Sequence, residues 1–192
     1  MVTFLSQRRD RVDEAYAGDI IGIVARGGLQ LGDTVTEDEP LQFSGLPFFA
    51  PEMFRGVELA DPMRSKQLNR GLQELGEEGA IQVFRPVLGN AMLLGAIGAL
   101  QFDVVAHRLK SEYGVEVRLA SAGYAGARWV SAGDDAELRR FREANQDKLA
   151  KDASEADAYL LSSRYALELT QERWPKIRFH ALREHAGLVL GS

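Results

Sequence analysis

The 192-residue sequence contains no cysteine. Disulfide bonds and thiolate metal ligands are therefore excluded, and a reducing compartment, the cytoplasm, is the simplest expectation. The sequence also lacks a recognisable export signal. Its longest apolar run, residues 91–100, contains two glycines and falls well short of the roughly 20 residues that cross a bilayer. We therefore predict a cytoplasmic protein with no membrane partner.

Nucleotide-binding motifs are absent as well. A P-loop requires a Gly-Lys pair, because its backbone amides and lysine hold the phosphates, and no glycine in this sequence precedes a lysine. The dinucleotide fingerprint G-x-G-x-x-G is also missing. The histidines are His107, His180 and His185, too few for a metal site without cysteine. We predict that this chain has no catalytic, cofactor-binding or metal-binding residues.

Positive charge is scarce overall, since the formal net charge is -5. A protein that binds nucleic acid over its whole surface is normally basic. Local basic groups do occur at Arg8, Arg9 and Arg11, and again at Arg139, Arg140 and Arg142. Two interpretations of such groups stay open: a solvated helix face paired with nearby carboxylates, or contact with RNA phosphates.

Strand and helix patterns alternate between residues 53 and 119. Strands are predicted at 53–59, 81–87, 91–97 and 115–119. One helix begins at Asp61-Pro62, where Asp caps and Pro starts a helix; a second carries an apolar stripe and ends at Gly114. This β-α-β-β-α-β order predicts a ferredoxin-like domain with an antiparallel sheet and helices on one face. Later strands at 128–130, 158–161 and 177–179 are expected to elaborate it, and no internal repeat is evident.

Residues 1–45 show a different sequence pattern, with short β-rich runs separated by glycine. A β-rich run at 20–24, a Gly27-Gly28 turn and a second run at 29–31 predict part of a β-barrel. Residues 43–51 contain two prolines and three phenylalanines. The prolines predict an irregular connection, and the phenylalanines predict that it packs against the rest of the protein. The sequence therefore predicts an α+β chain: a partial barrel over 1–45 and a ferredoxin-like domain over 46–192.

Several segments resemble a known family. AGDIIGI at 17–23 and GLQLGDT at 28–34 resemble the second, β-barrel domain of translational GTPases. FSGLPFFAPEMF at 43–54 is similar to the junction into the third domain of the bacterial class II peptide chain release factors, the release factor three family. The same family is matched, in its order, by segments beginning at 67, 77, 98, 108, 127, 171 and 183: QLNRGLQEL, EEGAIQVFRP, GALQFDVV, RLKSEY, ARWV, QERWP and REH.

The resemblance implies a role in translation termination. Such factors bind the ribosome, hydrolyse GTP in an N-terminal G domain and eject class I release factors; their second and third domains brace the G domain and contact the small subunit, both ribosomal protein and ribosomal RNA. GTP or GDP would bind to the G domain of the parent protein. A barrel that starts at Met1 would lack its front part, so we expect residues 1–45 to pair with a second copy or to be partly disordered.

Candidate contacts with the ribosome or with the G domain are seven residues: Arg85, Arg128, Arg139, Arg140, Arg142, Arg183 and His185. A free-standing ferredoxin-like regulatory or binding domain is the alternative function. An acylphosphatase-like enzyme is disfavoured, because that chemistry needs a glycine-containing anion loop with an arginine after the first strand. Here the strand is followed by Ala-Asp-Pro-Met at 60–63.

Overall fold

The computed structural model describes residues 2–5, 8–11, 14–22, 34–37, 41 and 47–184. The chain divides into two compact units, residues 1–30 and 31–192. In the first unit, the described residues form an antiparallel sheet of β1 (Val2–Leu5), β2 (Arg8–Arg11) and β3 (Ile21–Gly22), in the order β2-β1-β3. Most of the predicted barrel segment beyond residue 22 lies outside the described residues, so the barrel stays a prediction.

The second unit contains a long antiparallel sheet and a short two-stranded one. The strands are β4 (Pro47–Phe49), β5 (Met53–Leu59), β6 (Gln82–Pro86), β7 (Leu93–Ala96), β8 (Val117–Ser121), β9 (Gly126–Ala132), β10 (Leu149–Asp152), β11 (Asp157–Leu161), β12 (Ile177–His180) and β13 (Leu182–Glu184). The helices are α1 (Ser65–Glu77), α2 (Ala99–Tyr113), α3 (Asp135–Ala144) and α4 (Arg164–Arg173), with short 3-10 turns at Pro62–Arg64 and Gln146–Lys148. The long sheet has the order β12-β9-β11-β10-β6-β7-β5-β8.

The first half of the long sheet, β5 to β8, confirms the predicted ferredoxin-like plan. Counted along the chain, its four strands lie side by side in the order 2-3-1-4, with α1 and α2 as the two crossovers. Asp61 accepts a hydrogen bond from the Met63 amide at 3.0 Å and so caps the turn that leads into α1. Gly114 ends α2 with a φ of 67°, a left-handed conformation that glycine adopts at low cost.

The second half repeats the same plan, which the sequence did not reveal. Strands β9, β10, β11 and β12 also lie in the order 2-3-1-4, with α3 and α4 as crossovers. The two halves join where their second strands, β6 and β10, pair antiparallel: Ala150 lies opposite Pro86, Lys151 opposite Arg85, and Asp152 opposite Phe84. The predicted elaboration of one domain is therefore a second split βαβ unit, fused edge to edge with the first.

All four helices lie on one face of the long sheet. Residues directly opposite in an antiparallel ladder point to the same face. Val83 packs in the α1–α2 core and Leu149 in the α3–α4 core, while Arg85 and Lys151, two residues further along those strands, lie opposite each other. The two helical layers therefore share a face, and each covers its own apolar core.

The other face of the sheet, called the far face, holds a third core that both halves share. Phe54, Phe84 and Leu93 come from the first half, and Trp129 and Leu160 from the second. Residues 43–51 include β4, which pairs with β13, and Phe48 and Ala50 pack against this core. The packing expected of the junction is therefore confirmed for Phe48 and Ala50, whereas Phe49 is exposed and residues 43–46 lie outside the described residues. Pro51 comes so close that a Cβ on Gly95 would lie 2.6 Å from its Cγ, so glycine is required there.

Candidate functional site

The junction of the two halves leaves a strip of the helix-bearing face open. In a split βαβ unit the second strand lies at the sheet edge, and two such edges meet here. Arg85 on β6 and Lys151 on β10 lie directly opposite each other, and their side chains are 50% and 35% exposed. Val87, which follows β6, is also exposed. We call Arg85, Val87 and Lys151 the seam.

A network of charges borders the seam. Arg85 forms an ion pair with Glu155, from the turn between β10 and β11. Lys151 Nζ lies 2.7 Å from Asp157 Oδ1, and Arg142 Nε donates to Asp157 Oδ2 at 2.7 Å. The Asp157 side chain is only 5% exposed, so its charge is neutralised beneath two cations. The guanidinium groups of Arg85 and Arg142 stay about half exposed.

The remaining arginines of α3 differ in their pairing. Arg140 Nη1 lies 3.7 Å from Glu137 Oε2, a distance at which a surface pair contributes little to stability. Arg139 is exposed and has no ion pair among the described residues. Of the two interpretations of this basic group, pairing with carboxylates therefore accounts for Arg140 and Arg142 but leaves Arg139 available.

Arg183, another candidate, is buried, with 8% of its surface exposed. Its guanidinium bonds to Asp152 Oδ2, which also accepts from Trp129 Nε1 at 2.9 Å. Since Arg183 lies on β13 and Asp152 on β10, this contact, called the latch, fixes the short sheet to the far face of the long one. Arg128 is partly buried and donates to the Ala127 carbonyl at 2.7 Å. The candidate His185 lies outside the described residues.

A second charged network, on α1 and α2, was not found from the sequence, although its i,i+4 spacings were visible there. Arg108 Nε lies 2.6 Å from Glu112 Oε1, and its Nη1 bonds to Glu78. Tyr113 Oη donates to Glu74 Oε2 at 2.7 Å. Hydrogen bonds from Arg70 and then Tyr113 lower the pKa of Glu74, and the bond to Glu74 raises the pKa of Tyr113 to about 12. These groups satisfy one another and stabilise the pair of helices.

Two helices, one from each half, expose apolar side chains at corresponding positions. In α2 they are Leu100 and Val104, next to Ile97 just before the helix; in α4 they are Tyr165 and Leu169. The predicted core stripe of α2 is confirmed, since Phe102, Val105 and Leu109 are buried. Helical periodicity predicts the buried stripe of a helix, but it does not predict which apolar residues outside that stripe stay exposed.

Within the described ranges no group of three or more His, Asp or Glu side chains is arranged to hold a metal ion. In the same ranges no helix has the length and apolar character needed to cross a membrane. The described part of the chain offers charged and apolar surfaces for contact with partners, and Arg85, Arg139 and Arg140 are among its exposed basic residues.

Comparisons with known proteins give a consistent family match. The family model for the class II release factor RF3, C-terminal domain, matches residues 43–171. The chain is 61% identical over 189 residues to peptide chain release factor 3 of Nitrosomonas eutropha, covering 98% of this chain and 35% of that protein. It is 57% identical over 193 residues to the Bordetella pertussis protein of the same name, covering 100% of this chain and 36% of the relative. The chain thus spans about a third of the length of these relatives.

Proposed function

Since this chain belongs to the class II release factor RF3 family, we propose that it acts in translation termination. Its part is to contact the ribosome and to brace the G domain of a GTPase that recycles class I release factors. The observation that carries this proposal is the match to relatives named peptide chain release factor 3 along 98% of the chain. Ribosome binding further implies a cytoplasmic location.

In this proposal the chain performs no catalysis of its own. The sequence has no P-loop, and the family model that matches residues 43–171 describes a C-terminal domain. GTP and GDP would bind to the G domain of the parent protein. We further propose the domain boundary near residue 45, with a barrel domain before it. Pairing of two copies through residues 1–45 also stays a prediction, which light scattering can check.

The proposed partners on the ribosome are small-subunit protein and ribosomal RNA. Arg85, Arg139 and Arg140 are exposed, which supports their use as contacts. Arg142 and Arg128 are partly exposed, and each already has one internal partner. Arg183 is buried and engaged inside its own unit by the latch, which argues against its use as a contact with the ribosome or the G domain.

A free-standing regulatory or binding domain is the alternative function. Both functions use a ferredoxin-like sheet, and a fold alone does not decide between them. They differ in whether ribosomes are the partner.

Co-sedimentation tests the proposal. The chain is mixed with purified bacterial ribosomes, centrifuged through a sucrose cushion, and quantified in the pellet against a chain-only control. We expect binding that is saturable and weakened by salt, because ribosomal phosphates contribute to it. A chain that stays in the supernatant at every ribosome concentration would favour the free-standing regulator.

A further inference from the structure

We propose that the seam, together with Arg139 and Arg142, binds the phosphate backbone of an RNA strand. This assignment rests on the proposed function, because it identifies which surface of the chain contacts ribosomal RNA. It starts from the fusion of the two halves, which neither the sequence pattern nor the family match describes.

The fusion creates the shape of the site. Strands β6 and β10 pair antiparallel along three residue pairs, and neighbouring strands lie about 4.8 Å apart. The α1–α2 layer lies on one side of this pair and the α3–α4 layer on the other. The exposed seam residues between the two layers are carried by extended strand backbone, an arrangement that suits an extended polymer better than an enclosed small ligand.

The charges along the strip are unevenly exposed. The Asp157 carboxylate is buried under Lys151 and Arg142, while the outward parts of Arg85 and Arg142 remain exposed. Arg139 lies three residues before Arg142 and hence on the same flank of α3. The carboxylates that oppose these cations are Glu155, which is paired with Arg85 and is itself 68% exposed, and Asp135 and Glu143, one turn before and one turn after Arg139 on the same helix. Arg139, which has no ion pair among the described residues, and the half-exposed side chains of Arg85 and Arg142 are therefore the cations that this surface presents.

The rigid placement of the arginines favours phosphate over an acidic protein segment, whereas the guanidinium fork itself matches both anions. A guanidinium presents a planar fork of donors that matches the oxygens of phosphate and remains charged at every physiological pH. Three of the four cations here are arginines, and they are carried by a rigid sheet and helix rather than by a loop. Regularly spaced phosphates along one strand can engage them together, whereas an acidic peptide would have to pay the cost of ordering flexible carboxylate side chains.

Charge-removing variants test the proposal. Arg85→Gln and Arg139→Gln each remove one exposed cation without uncovering the buried Asp157. Arg118→Gln is the matched control: Arg118 is an exposed arginine on edge strand β8, 3.9 Å from Glu58. Circular dichroism would first establish that every variant keeps the wild-type fold. Binding to ribosomes and to a fluorescent RNA hairpin is then measured at several salt concentrations, with polyglutamate as the alternative anion.

We expect Arg85→Gln and Arg139→Gln each to weaken binding to ribosomes and to the hairpin about tenfold. Each should also reduce the slope of log K against log salt by about 0.7 to 0.9, the contribution of one phosphate contact. Arg118→Gln should change neither quantity. Glu155→Gln removes the carboxylate that competes for Arg85 and should strengthen binding.

The outcomes separate this proposal from the one on which it rests. If the wild-type chain binds ribosomes but Arg85→Gln and Arg139→Gln match the control, the seam assignment is wrong while the proposed function stands. Polyglutamate binding as tight as the hairpin would also overturn it, in favour of an acidic protein partner. If the wild-type chain fails to bind ribosomes, the proposed function fails, and loss of hairpin binding in these two variants would still support a phosphate site.

Discussion

The two halves of the long sheet share one strand order but differ in what fills their cores. In the first half the fully buried side chains are mainly aliphatic, such as Leu72, Leu94 and Leu109. In the second half Phe141 is the centre of an aromatic cluster, with ring centroids 5.4 to 5.7 Å from its neighbours Tyr159, Trp174 and Phe179. The helices differ as well: 13 and 15 residues in the first half, 10 and 10 in the second.

The difference shows that the strand order does not depend on the type of core residue. Aromatic rings bury more surface per residue than aliphatic side chains, so two shorter helices can cover the same number of strands. The same order of strands and crossovers is therefore satisfied in the two halves by different packing.

The shared far-face core predicts that both halves unfold together. Substitution of Phe141 by Ala should destabilise the protein by about 3–5 kcal/mol, and substitution of Leu72 by Ala by about 2–5 kcal/mol. Both of the chain's tryptophans, Trp129 and Trp174, lie in the second half. Tryptophan fluorescence thus reports that half and, through Trp129, the shared far-face core. Far-UV circular dichroism reports both halves, and guanidinium unfolding can be followed with the two probes in parallel.

We expect the two unfolding curves to coincide for the wild type, for Phe141→Ala and for Leu72→Ala. Phe141→Leu serves as the control that keeps most of the buried volume. If Leu72→Ala shifts the circular dichroism transition and leaves the fluorescence transition in place, the two halves unfold independently and are two domains rather than one.

The latch contacts only the second half, and its removal should destabilise the protein. Arg183→Met removes one partner of a buried ion pair, which costs about 3–5 kcal/mol. We expect the lower end of that range, because Asp152 keeps hydrogen bonds from Trp129 Nε1 and from the Ser154 and Ala156 amides. The measurement is the free energy of unfolding from urea titration, with the exposed Arg178→Met as control. A cost equal to that of the control would show that the latch does not hold the short sheet.

Sequence patterns were sufficient to predict the fold of the first half, because the residues that mark its helices and strands are close together in the sequence. The cap at Asp61, the leucine spacing of α1 and the glycine after α2 each lie within a few residues of the element they define. The second half was only partly predicted. Strand β10 is Leu-Ala-Lys-Asp, four residues without a β-branched side chain, and so it was missed together with the repeat it completes. Predicted strand 115–119 lies at Val117–Ser121, an ordinary uncertainty of element boundaries.

The candidate surface was predicted in part for the same reason. The spacing of Arg139, Arg140 and Arg142 is visible in the sequence, but the contact between Arg85 and Glu155 joins residues 70 positions apart. That contact exists because β6 and β10 pair, which no local pattern indicates. The burial of Arg183 likewise depends on the pairing of β13 with β4, two short strands from opposite ends of the unit.

The smallest expected effect concerns the bond between Tyr113 and Glu74 in the first half. The pKa of Tyr113 is raised to about 12 by the hydrogen bond to Glu74, whereas an unfolded tyrosine titrates near about 10. The folded state therefore holds this proton more tightly, so the stabilisation is complete below pH ~10 and is lost as the pH rises from ~10 to ~12. Tyr113→Phe should remove this pH dependence and change stability near neutral pH far less than the core substitutions.

Tyrosinate absorbance measures the effect directly. In the wild type Tyr113 should ionise near pH 12, so the late step of the titration should be smaller in Tyr113→Phe. Tyr165→Phe, on α4 of the second half, is the control; Tyr165 is exposed, so its loss should leave the late step intact. Circular dichroism recorded along the titration distinguishes ionisation in the folded chain from unfolding. A wild-type titration completed near pH ~10, with the fold intact, would show that Glu74 does not hold the Tyr113 proton.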